Sequence, residues 1–221
     1  MTLSEILYKI LVAGGSYKVI LAGLLVTVQI SGLALLLGTI LGALVCFLRT
    51  RRNPLPRTLA AAYIAVLRGT PVLMLLLLLY YGVLARSGLS PTMVAVVTFA
   101  LNVSAHVAEL LRSALLSADA GQAEAARTLG FSRWEAFRLV TFPQMLRIAR
   151  PVYQSTVVNL IQWTSVVGYV TITDLTRVIN NIASRTMQPM ATICVGMILY
   201  LGLSYLIFGI FALTDRRKEV Q

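Results

Sequence analysis

The sequence predicts an all-α integral membrane protein with five transmembrane helices and one polar helical hairpin. Of the 221 residues, 58% are hydrophobic and only 12% are charged, whereas a soluble domain carries about 25% charged residues. Five long segments lack acidic and basic residues, and a bilayer core needs roughly 20 apolar residues per helix. We therefore expect a transmembrane domain over 19–214, with spans at about 19–48, 58–85, 90–117, 151–173 and 188–214.

Basic residues divide unevenly between the two sides that five spans create. One side holds the loop after span one, the loop 118–145 and the tail 215–221, and these segments carry most of the arginines. The positive-inside rule places this side in the cytoplasm. The sequence thus predicts an outside N-terminus, an inside C-terminus and a cytoplasmic tail, and it attributes the net charge of +11 to membrane topology rather than to nucleic-acid binding.

The first segment and the first span have different patterns. Residues 1–18 place their apolar side chains on one face, which predicts a short amphipathic helix on the outer membrane surface. Residues 19–48 contain four glycines, and small residues allow transmembrane helices to approach one another closely. We expect these glycines to mark packing against neighbouring helices.

Span two contains an expected break. Pro71 removes a helical hydrogen bond, so the helix should kink or end there. Arg68 lies just before this break, and a charged residue inside a span usually faces a bundle interior or a wet cavity. Two interpretations remain open: Arg68 contacts a transported substrate, or it caps carbonyl groups freed by the kink or pairs with a carboxylate.

Span three presents Asn102, His106 and Glu109 on one helical face. His106 is either a proton relay or a hydrogen-bonded packing residue, and the second interpretation is favoured. Neither histidine nor cysteine has a partner at metal-binding spacing. The sequence also shows no nucleotide-binding loop, no catalytic triad order and no paired catalytic carboxylates, so we expect no enzymatic activity in this chain.

The loop 118–145 predicts two short capped helices. Asp119 is a candidate N-cap, and Gly130 suits the left-handed conformation that ends a helix. Ser132 and Glu135 have the spacing of a capping box for a second helix. A polar, well-capped hairpin between oily spans suits a soluble cytoplasmic partner, although an ordinary surface loop is the alternative.

Span four carries a polar stripe, and span five closes the domain. The stripe either binds helices together or lines a pathway. It consists of Ser155, Asn159, Gln162 and Ser165. After Asp174, residues 175–184 predict a short extracytoplasmic helix before span five begins near Pro189.

The hairpin resembles the EAA signature of bacterial ABC importer permeases. That signature reads Glu-Ala-Ala, three residues, Gly, nine residues, then Ile-x-Leu-Pro. This chain has Glu-Ala-Ala at 124–126, Gly130, and Val-Thr-Phe-Pro at 140–143, with the spacing kept. The resemblance implies the type I ABC importer permease fold and a coupling helix in the loop 118–145.

Other short motifs extend the resemblance over nearly the whole chain, to the polar amino acid subgroup of these permeases. The motifs are Arg-Gly-Thr-Pro at 68–71, Ala-Glu at 108–109, Gly-Gln at 121–122 and Ile-Ala-Ser-Arg-Thr at 182–186. The subgroup often has Lys-Asp-Thr-Ser where this chain has Gln-Trp-Thr-Ser at 162–165. Both charges are missing, which favours neutral or acidic polar amino acids in a homodimer, whereas a paralogous partner could supply the acid.

The resemblance implies a multi-subunit importer in the bacterial inner membrane. Two permease subunits form the pore, as a homodimer or with a paralogue. A separate ABC ATPase binds ATP and Mg, and an extracytoplasmic substrate-binding protein delivers the amino acid; this chain binds no cofactor or metal itself. The coupling residues implied are Glu124, Ala125, Ala126, Arg127 and Gly130.

A substrate path is expected where polar residues lie at comparable depth in the spans. Arg68 suits a carboxylate because its guanidinium binds two oxygens, and neighbouring polar groups suit an ammonium or a polar side chain. The expected path residues are Arg68, Thr70, Asn102, Gln162, Trp163 and Thr164. The alternative function is a secondary transporter or channel with a Glu109/His106 proton or ion relay, which would need no ATPase.

Overall fold

The computed structural model describes residues 2–219, with side chains described over residues 2–213. These residues form helices joined by short turns, with no β-strand among them, so the all-α prediction is confirmed. Short 3-10 or π-helical turns occur at Ala13–Gly15, Leu78–Val83, Phe137–Thr141 and Thr164–Val170. The α-helices are α1 (Leu3–Leu11), α2 (Ser16–Arg49), α3 (Pro54–Gly69), α4 (Val72–Leu77), α5 (Pro91–Ser117), α6 (Ala120–Thr128), α7 (Arg133–Ala136), α8 (Phe142–Trp163), α9 (Leu175–Thr186) and α10 (Pro189–Glu219).

Three helical segments in the described residues are long and apolar enough to cross a membrane alone. They are Ala13–Arg49, Pro91–Ser117 and Pro189–Leu213. The broken pair Pro54–Gly69 and Val72–Val83 gives a fourth candidate span. The bounds of these segments lie within about six residues of four of the five expected spans, and their membrane crossing stays a prediction.

The fifth expected span, residues 151–173, is less regular than the sequence suggested. Helix α8 begins nine residues earlier, at Phe142, and ends at Trp163, where a 3-10 turn follows. Arg147 and Arg150 in its first half lower its apolar character. The count of five spans therefore stays a prediction. In the expected tail 215–221, the backbone of residues 215–219 continues α10, and residues 220–221 lie outside the described residues.

The chain divides into two compact units, and the first comprises residues 1–36, 71–99 and 157–221. Its core includes Ile10 of α1, which is completely buried against apolar residues of α9 and α10. The guanidinium of Arg185 also donates to the Ala13 carbonyl and to the Ser16 hydroxyl. The amphipathic N-terminal helix therefore forms as expected, but one side of it packs on protein.

Helix α9 begins at a buried polar cap in this unit. The carboxylate of Asp174 accepts hydrogen bonds from the backbone N–H groups of Thr176 and Arg177, at 3.1 and 3.0 Å. The hydroxyl of Tyr200 on α10 also donates to this carboxylate, at 3.4 Å. The short helix expected after Asp174 is confirmed and extends to Thr186.

The second unit comprises residues 37–70 and 100–156, and close packing of α2 against α5 defines it. A Cβ atom added at Gly42 would lie 2.7 Å from the Cβ of Val107 and 2.8 Å from the Ser104 carbonyl. Gly38 is equally crowded by Val103. Since no side chain fits at these two positions, the interpretation of the span-one glycines as packing residues is confirmed for both.

Candidate functional site

The hairpin formed by α6 and α7 is fixed at its start by a side chain from α8. Asp119 caps α6 by accepting from the N–H of Gly121, at 2.8 Å. The side-chain carbonyl of Gln144 accepts the N–H of Asp119 at 3.1 Å, while its amide group donates to Gln122. Gln144 thus satisfies the N-cap N–H, and it joins the beginning of α6 to the beginning of α8.

The turn between the two helices is a Schellman motif. The N–H of Gly130 donates to the Arg127 carbonyl at 3.1 Å, and the N–H of Phe131 donates to the Ala126 carbonyl at 3.2 Å. Gly130 has φ 94°, a conformation that L residues rarely adopt. The predicted helix end at Gly130 is confirmed in its hydrogen bonds and its dihedral angle.

The second helix begins with the predicted capping box. The N–H of Glu135 donates to the Ser132 hydroxyl at 3.2 Å, and the N–H of Ser132 donates to the Glu135 carboxylate at 2.8 Å. These hydrogen bonds from the Ser132 side chain and backbone hold the pKa of Glu135 below its usual value. Helix α7 then continues through a π-helical turn into α8, so Pro143 lies in the first turn of α8 rather than ending the hairpin.

The signature residues of the hairpin differ in exposure. Glu124, Ala125, Arg127 and Gly130 are exposed. Ala126, in contrast, is 7% exposed and its side chain faces the protein. A contact surface on this hairpin would therefore use the exposed residues, with Ala126 packed beneath them.

The hairpin also exposes large apolar side chains. Leu129 is 79% exposed and Trp134 is 66% exposed, and Phe131 lies between them in sequence. Three of the flanking positions are arginines, at 127, 133 and 138. An apolar tip with a basic surround is a surface suited to a partner rather than to water.

The expected break in span two occurs at Thr70 and Pro71, where the backbone is extended. Pro71 has no N–H, so the Leu67 carbonyl loses its ordinary helical donor. The side-chain amide of Asn102 on α5 donates to this carbonyl instead, at 3.0 Å. The Thr70 hydroxyl donates to the Val66 carbonyl at 2.8 Å. Asn102, rather than Arg68, thus caps the Leu67 carbonyl that the break frees, and the Thr70 hydroxyl adds a second donor to the last turn of α3.

The Asn102 side chain is 3% exposed, and one of its two polar atoms is unpaired. Its Oδ1 atom has no hydrogen-bond partner among the described residues. The amide nitrogen is committed to the backbone of α3. Arg68 is exposed at the end of α3. Among the described residues its guanidinium makes no hydrogen bond to a carbonyl freed by the break, so the interpretation of Arg68 as a capping residue has no support.

The acidic residue of span three is already paired. Glu109 forms a bidentate ion pair with Arg112, one helical turn further along α5, with Arg112 Nε at 3.0 and 3.2 Å from the two carboxylate oxygens. The Glu109 carboxylate is thus already engaged by a guanidinium on its own helix. The geometry gives the proton-relay alternative no support.

The polar stripe of α8 faces away from the protein core. Ser155, Asn159 and Gln162 are all exposed, whereas the residues between them are mostly buried. Gln162 lines a cavity of about 380 Å³ in the first unit, together with Asn180 and Tyr200. Exposed polar groups on a membrane helix face another subunit or a wet cavity rather than lipid.

The two expected path residues after Gln162 differ in their surroundings. Thr164 is completely buried, and its hydroxyl donates to the Ile161 carbonyl at 2.6 Å, where α8 gives way to the 3-10 turn. Trp163 is half-buried at the last position of α8. Of the expected path residues in this unit, Gln162 lines a cavity, whereas Thr164 stabilises the end of α8.

Sequence reasoning missed one cationic cavity in the first unit. It has a volume of about 450 Å³ and lies between the 3-10 turn and α9. Its lining consists of Ser165, Val166, Gly168, Tyr169, Thr176, Arg177 and Asn180. The cavity depends on the 3-10 turn after Trp163, and no periodicity in the sequence indicates that turn. Within the described side chains, no group of three or more His, Cys, Asp or Glu residues could hold a metal ion.

Comparison with known proteins matches this chain to transport proteins. Residues 34–220 match the family described as "Binding-protein-dependent transport system inner membrane component". The chain is 31% identical over 211 residues to the nopaline transport system permease protein NocM of Agrobacterium fabrum, covering 90% of this chain and 88% of NocM. It is also 31% identical to the probable amino-acid ABC transporter permease protein YckA of Bacillus subtilis, covering 89% and 87%.

A solved structure shares the fold. The structure described as an amino acid ABC transporter with histidines superposes with a TM-score of 0.83 and 28% sequence identity. The match covers 98% of this chain and 100% of the solved chain.

Proposed function

Since this chain belongs to the family of binding-protein-dependent transport system inner membrane components, we propose that it forms the membrane pathway of an importer for a polar amino acid. It is a permease subunit of an amino-acid ABC transporter in the inner membrane and has the type I permease fold. The observation that carries the mechanism is the capped polar hairpin with its EAA signature, inserted between membrane helices.

We propose that the hairpin docks into a cleft of a separate ATPase subunit, which binds ATP and Mg. The exposed residues Glu124, Ala125, Arg127 and Gly130 would form the polar part of the contact. The exposed Leu129 and Trp134 side chains would fill an apolar cleft, since burying them removes apolar surface from water. Closure of the ATPase dimer on ATP would then bias the permease toward one of two conformations.

The complete importer, in this proposal, has two components besides this chain and the ATPase. A second permease subunit completes the pore, and an extracytoplasmic substrate-binding protein delivers the amino acid. The N-terminus lies outside and the C-terminus inside, because the arginine-rich hairpin and the loop after span one then share the cytoplasm. ATP hydrolysis is confined to the ATPase, so this chain catalyses no reaction itself.

Arg68 is proposed as a carboxylate partner along the path. Its exposed guanidinium follows directly on Leu67, whose carbonyl is held by Asn102. The Asn102 and Thr70 hydrogen bonds support this role by fixing the helix end that carries Arg68. Asn102 then acts through position, and its buried Oδ1 would have to be uncovered before it could accept from an ammonium group.

Gln162 is proposed as the path residue of the first unit, because it is exposed and lines a cavity. Trp163 stands where the resembled subgroup often has an aspartate. Glu109 is already paired with Arg112. A cationic side chain would therefore need its carboxylate partner from the second permease subunit. NocM is named for nopaline and YckA for an amino acid, which supports an amino-acid cargo without fixing its charge.

The decisive experiment reconstitutes the permease with an ATPase and a binding protein encoded beside it. Liposomes are assayed for uptake of twenty common amino acids and ornithine, with ATP or a non-hydrolysable analogue inside. We expect ATP-dependent uptake of at least one polar amino acid. Uptake that follows a proton gradient without ATP would instead establish the secondary-transporter alternative.

Arg68 is tested separately with Arg68→Lys and Arg68→Ala. A substrate partner should lose uptake in both variants, with the lysine variant less affected because one charge but not the bidentate fork is kept. Folding and basal ATPase activity should survive in both. If the alanine variant loses folding while the lysine variant transports normally, Arg68 is a structural residue.

A further inference from the structure

The cationic cavity beside α9 holds an arginine without an anionic partner. Arg177 donates from its guanidinium to the Gly168 carbonyl, at 2.9 Å. Among the described side chains, no carboxylate lies within ion-pair distance of this guanidinium. Four of its five N–H donors therefore have no acceptor in this part of the chain.

The nearest acid in sequence is already engaged. Asp174 is completely buried, and its two oxygens accept the backbone N–H groups of Thr176 and Arg177. The Tyr200 hydroxyl also donates to it. The Asp174 carboxylate is thus committed to the N-terminus of α9, and it leaves the Arg177 side chain free to bind another anion.

The Arg177 side chain is held in one position by its surroundings. Its aliphatic carbons lie near Gly168, because a Cβ added at Gly168 would be 3.7 Å from the Arg177 Cβ and 3.9 Å from its Cδ. The hydrogen bond to the Gly168 carbonyl fixes the other end. A partly exposed guanidinium that is held in place and has most of its donors unpaired can bind a carboxylate without breaking an existing ion pair.

We propose that this cavity binds the carboxylate of the transported amino acid, with Arg177 as its partner. The inference rests on the proposed import of an amino acid and adds Arg177, besides Arg68, as a partner for its carboxylate. A guanidinium binds both oxygens of a carboxylate at once. The cavity volume of about 450 Å³ lies within the range of about 300–1,000 Å³ that is usual for small-molecule sites.

The remaining lining suits the rest of an amino acid. Ser165, Thr176 and Asn180 bring hydroxyl and amide oxygens that can accept from an ammonium group. Thr176 and Asn180 also line the neighbouring cavity that contains Gln162. In the proposed topology α9 is extracytoplasmic, so Arg177 would receive the carboxylate on the side from which the binding protein delivers it.

The test is equilibrium binding to the purified complex of full-length permease and ATPase, without binding protein. The probes are the most strongly transported amino acid of the uptake panel and its α-carboxamide, which lacks the negative charge. Wild-type protein should prefer the acid by at least about tenfold, as expected for charge-assisted hydrogen bonds. Arg177→Gln should raise the Kd of the acid by a similar factor and change the Kd of the carboxamide less than about twofold.

Two further variants make the result specific. Asn180→Asp places a carboxylate in the cavity at an exposed position, so it should weaken binding of the acid even if Arg177→Gln fails to fold. Arg86→Gln removes the same charge from an exposed residue outside the cavity and should leave both Kd values unchanged. Repeating the series with Arg68→Gln separates the two arginines. Equal weakening of acid and carboxamide, or no weakening at all, overturns the proposal.

A phospholipid headgroup could also satisfy a guanidinium, and the same assay separates this source. Binding is measured with and without added phosphatidylglycerol. If the lipid binds in an Arg177-dependent manner while the amino acid does not, the cavity is a lipid site and the proposal fails. Failure of the import function is recognised independently, because wild-type liposomes would then take up no amino acid.

Discussion

The hydrogen bond between Asn102 and the Leu67 carbonyl gives a quantitative test of how the break in span two is stabilised. Pro71 deprives the Leu67 carbonyl of its helical donor, and the Asn102 amide replaces it at 3.0 Å. We therefore expect Asn102→Leu and Pro71→Ala to be coupled. Alanine at 71 restores a backbone N–H and lets the helix continue through Thr70. In that helical conformation the N–H bonds the same carbonyl and replaces the asparagine amide.

The single substitution is not diagnostic, because two effects oppose each other. Asn102→Leu removes the hydrogen bond and leaves a buried carbonyl unsatisfied, which costs about 1–3 kcal/mol. It also removes the unpaired, buried Oδ1 of Asn102, and relief of that atom returns a comparable amount. The interaction energy from a double-mutant cycle isolates the first effect, since the second occurs in both backgrounds.

We expect an interaction energy of about 1–3 kcal/mol between the two substitutions. For a chain of this length, about 2 kcal/mol corresponds to a difference of about 4–8 °C in melting temperature. The assay is thermal unfolding of detergent-purified wild type, both single variants and the double variant, followed by fluorescence-detected size-exclusion chromatography. Asn102→Leu should be more harmful with proline at 71 than with alanine.

Thr156→Val is the matched control. The Thr156 hydroxyl is buried and donates to a carbonyl of its own helix, Val152, which keeps its backbone donor in any case. The destabilisation caused by Thr156→Val should be the same, within about 0.5 kcal/mol, with proline or alanine at position 71. If Asn102→Leu is equally independent of residue 71, the account of Asn102 as a replacement donor is refuted.

Three further predictions concern the hairpin and the topology. Gly130→Val should destabilise the Schellman turn by about 1–3 kcal/mol and abolish stimulation of the ATPase. Gly130→Asn, in which the new residue tolerates positive φ, should keep most of that stimulation. Equal loss of stimulation in both variants would contradict the conformational explanation. Trp134→Ala should weaken pull-down of the ATPase while membrane insertion is unchanged, and Leu116→Ala, an equally exposed apolar residue outside the hairpin, should not. A reporter active only in the cytoplasm, fused after Gln221, should be active, and an inactive fusion on a stably inserted protein would disprove the inside C-terminus.

The parts of the fold that local chemistry determines were predictable. The caps at Asp119, Gly130 and Ser132 depend on residues within a few positions of one another, and all three formed as expected. The end of helix α3 followed from the missing N–H of Pro71. Long apolar segments likewise determined α2, α5 and α10 to within a few residues.

The features that depend on contacts between distant segments were not predictable. Asn102 was expected to face substrate, but its amide meets a carbonyl 35 positions away, which no spacing rule reveals. Ala126 belongs to the EAA signature that implies a coupling surface, yet its side chain is buried. The Arg177 cavity needs the 3-10 turn after Trp163 and the capping of α9 by Asp174, so neither periodicity nor composition could indicate it.

The Gln144 side chain has a mechanical consequence for the hairpin. It links the first residues of α6 to α8, while the Schellman turn and the capping box remove slack from the rest of the hairpin. If the hairpin docks on the ATPase as proposed, a displacement of the hairpin would move the first turn of α8 with it, because the Gln144 hydrogen bonds join the two. Stiffness at this joint, rather than affinity at the hairpin surface, would set how much of each ATP-driven stroke reaches the membrane.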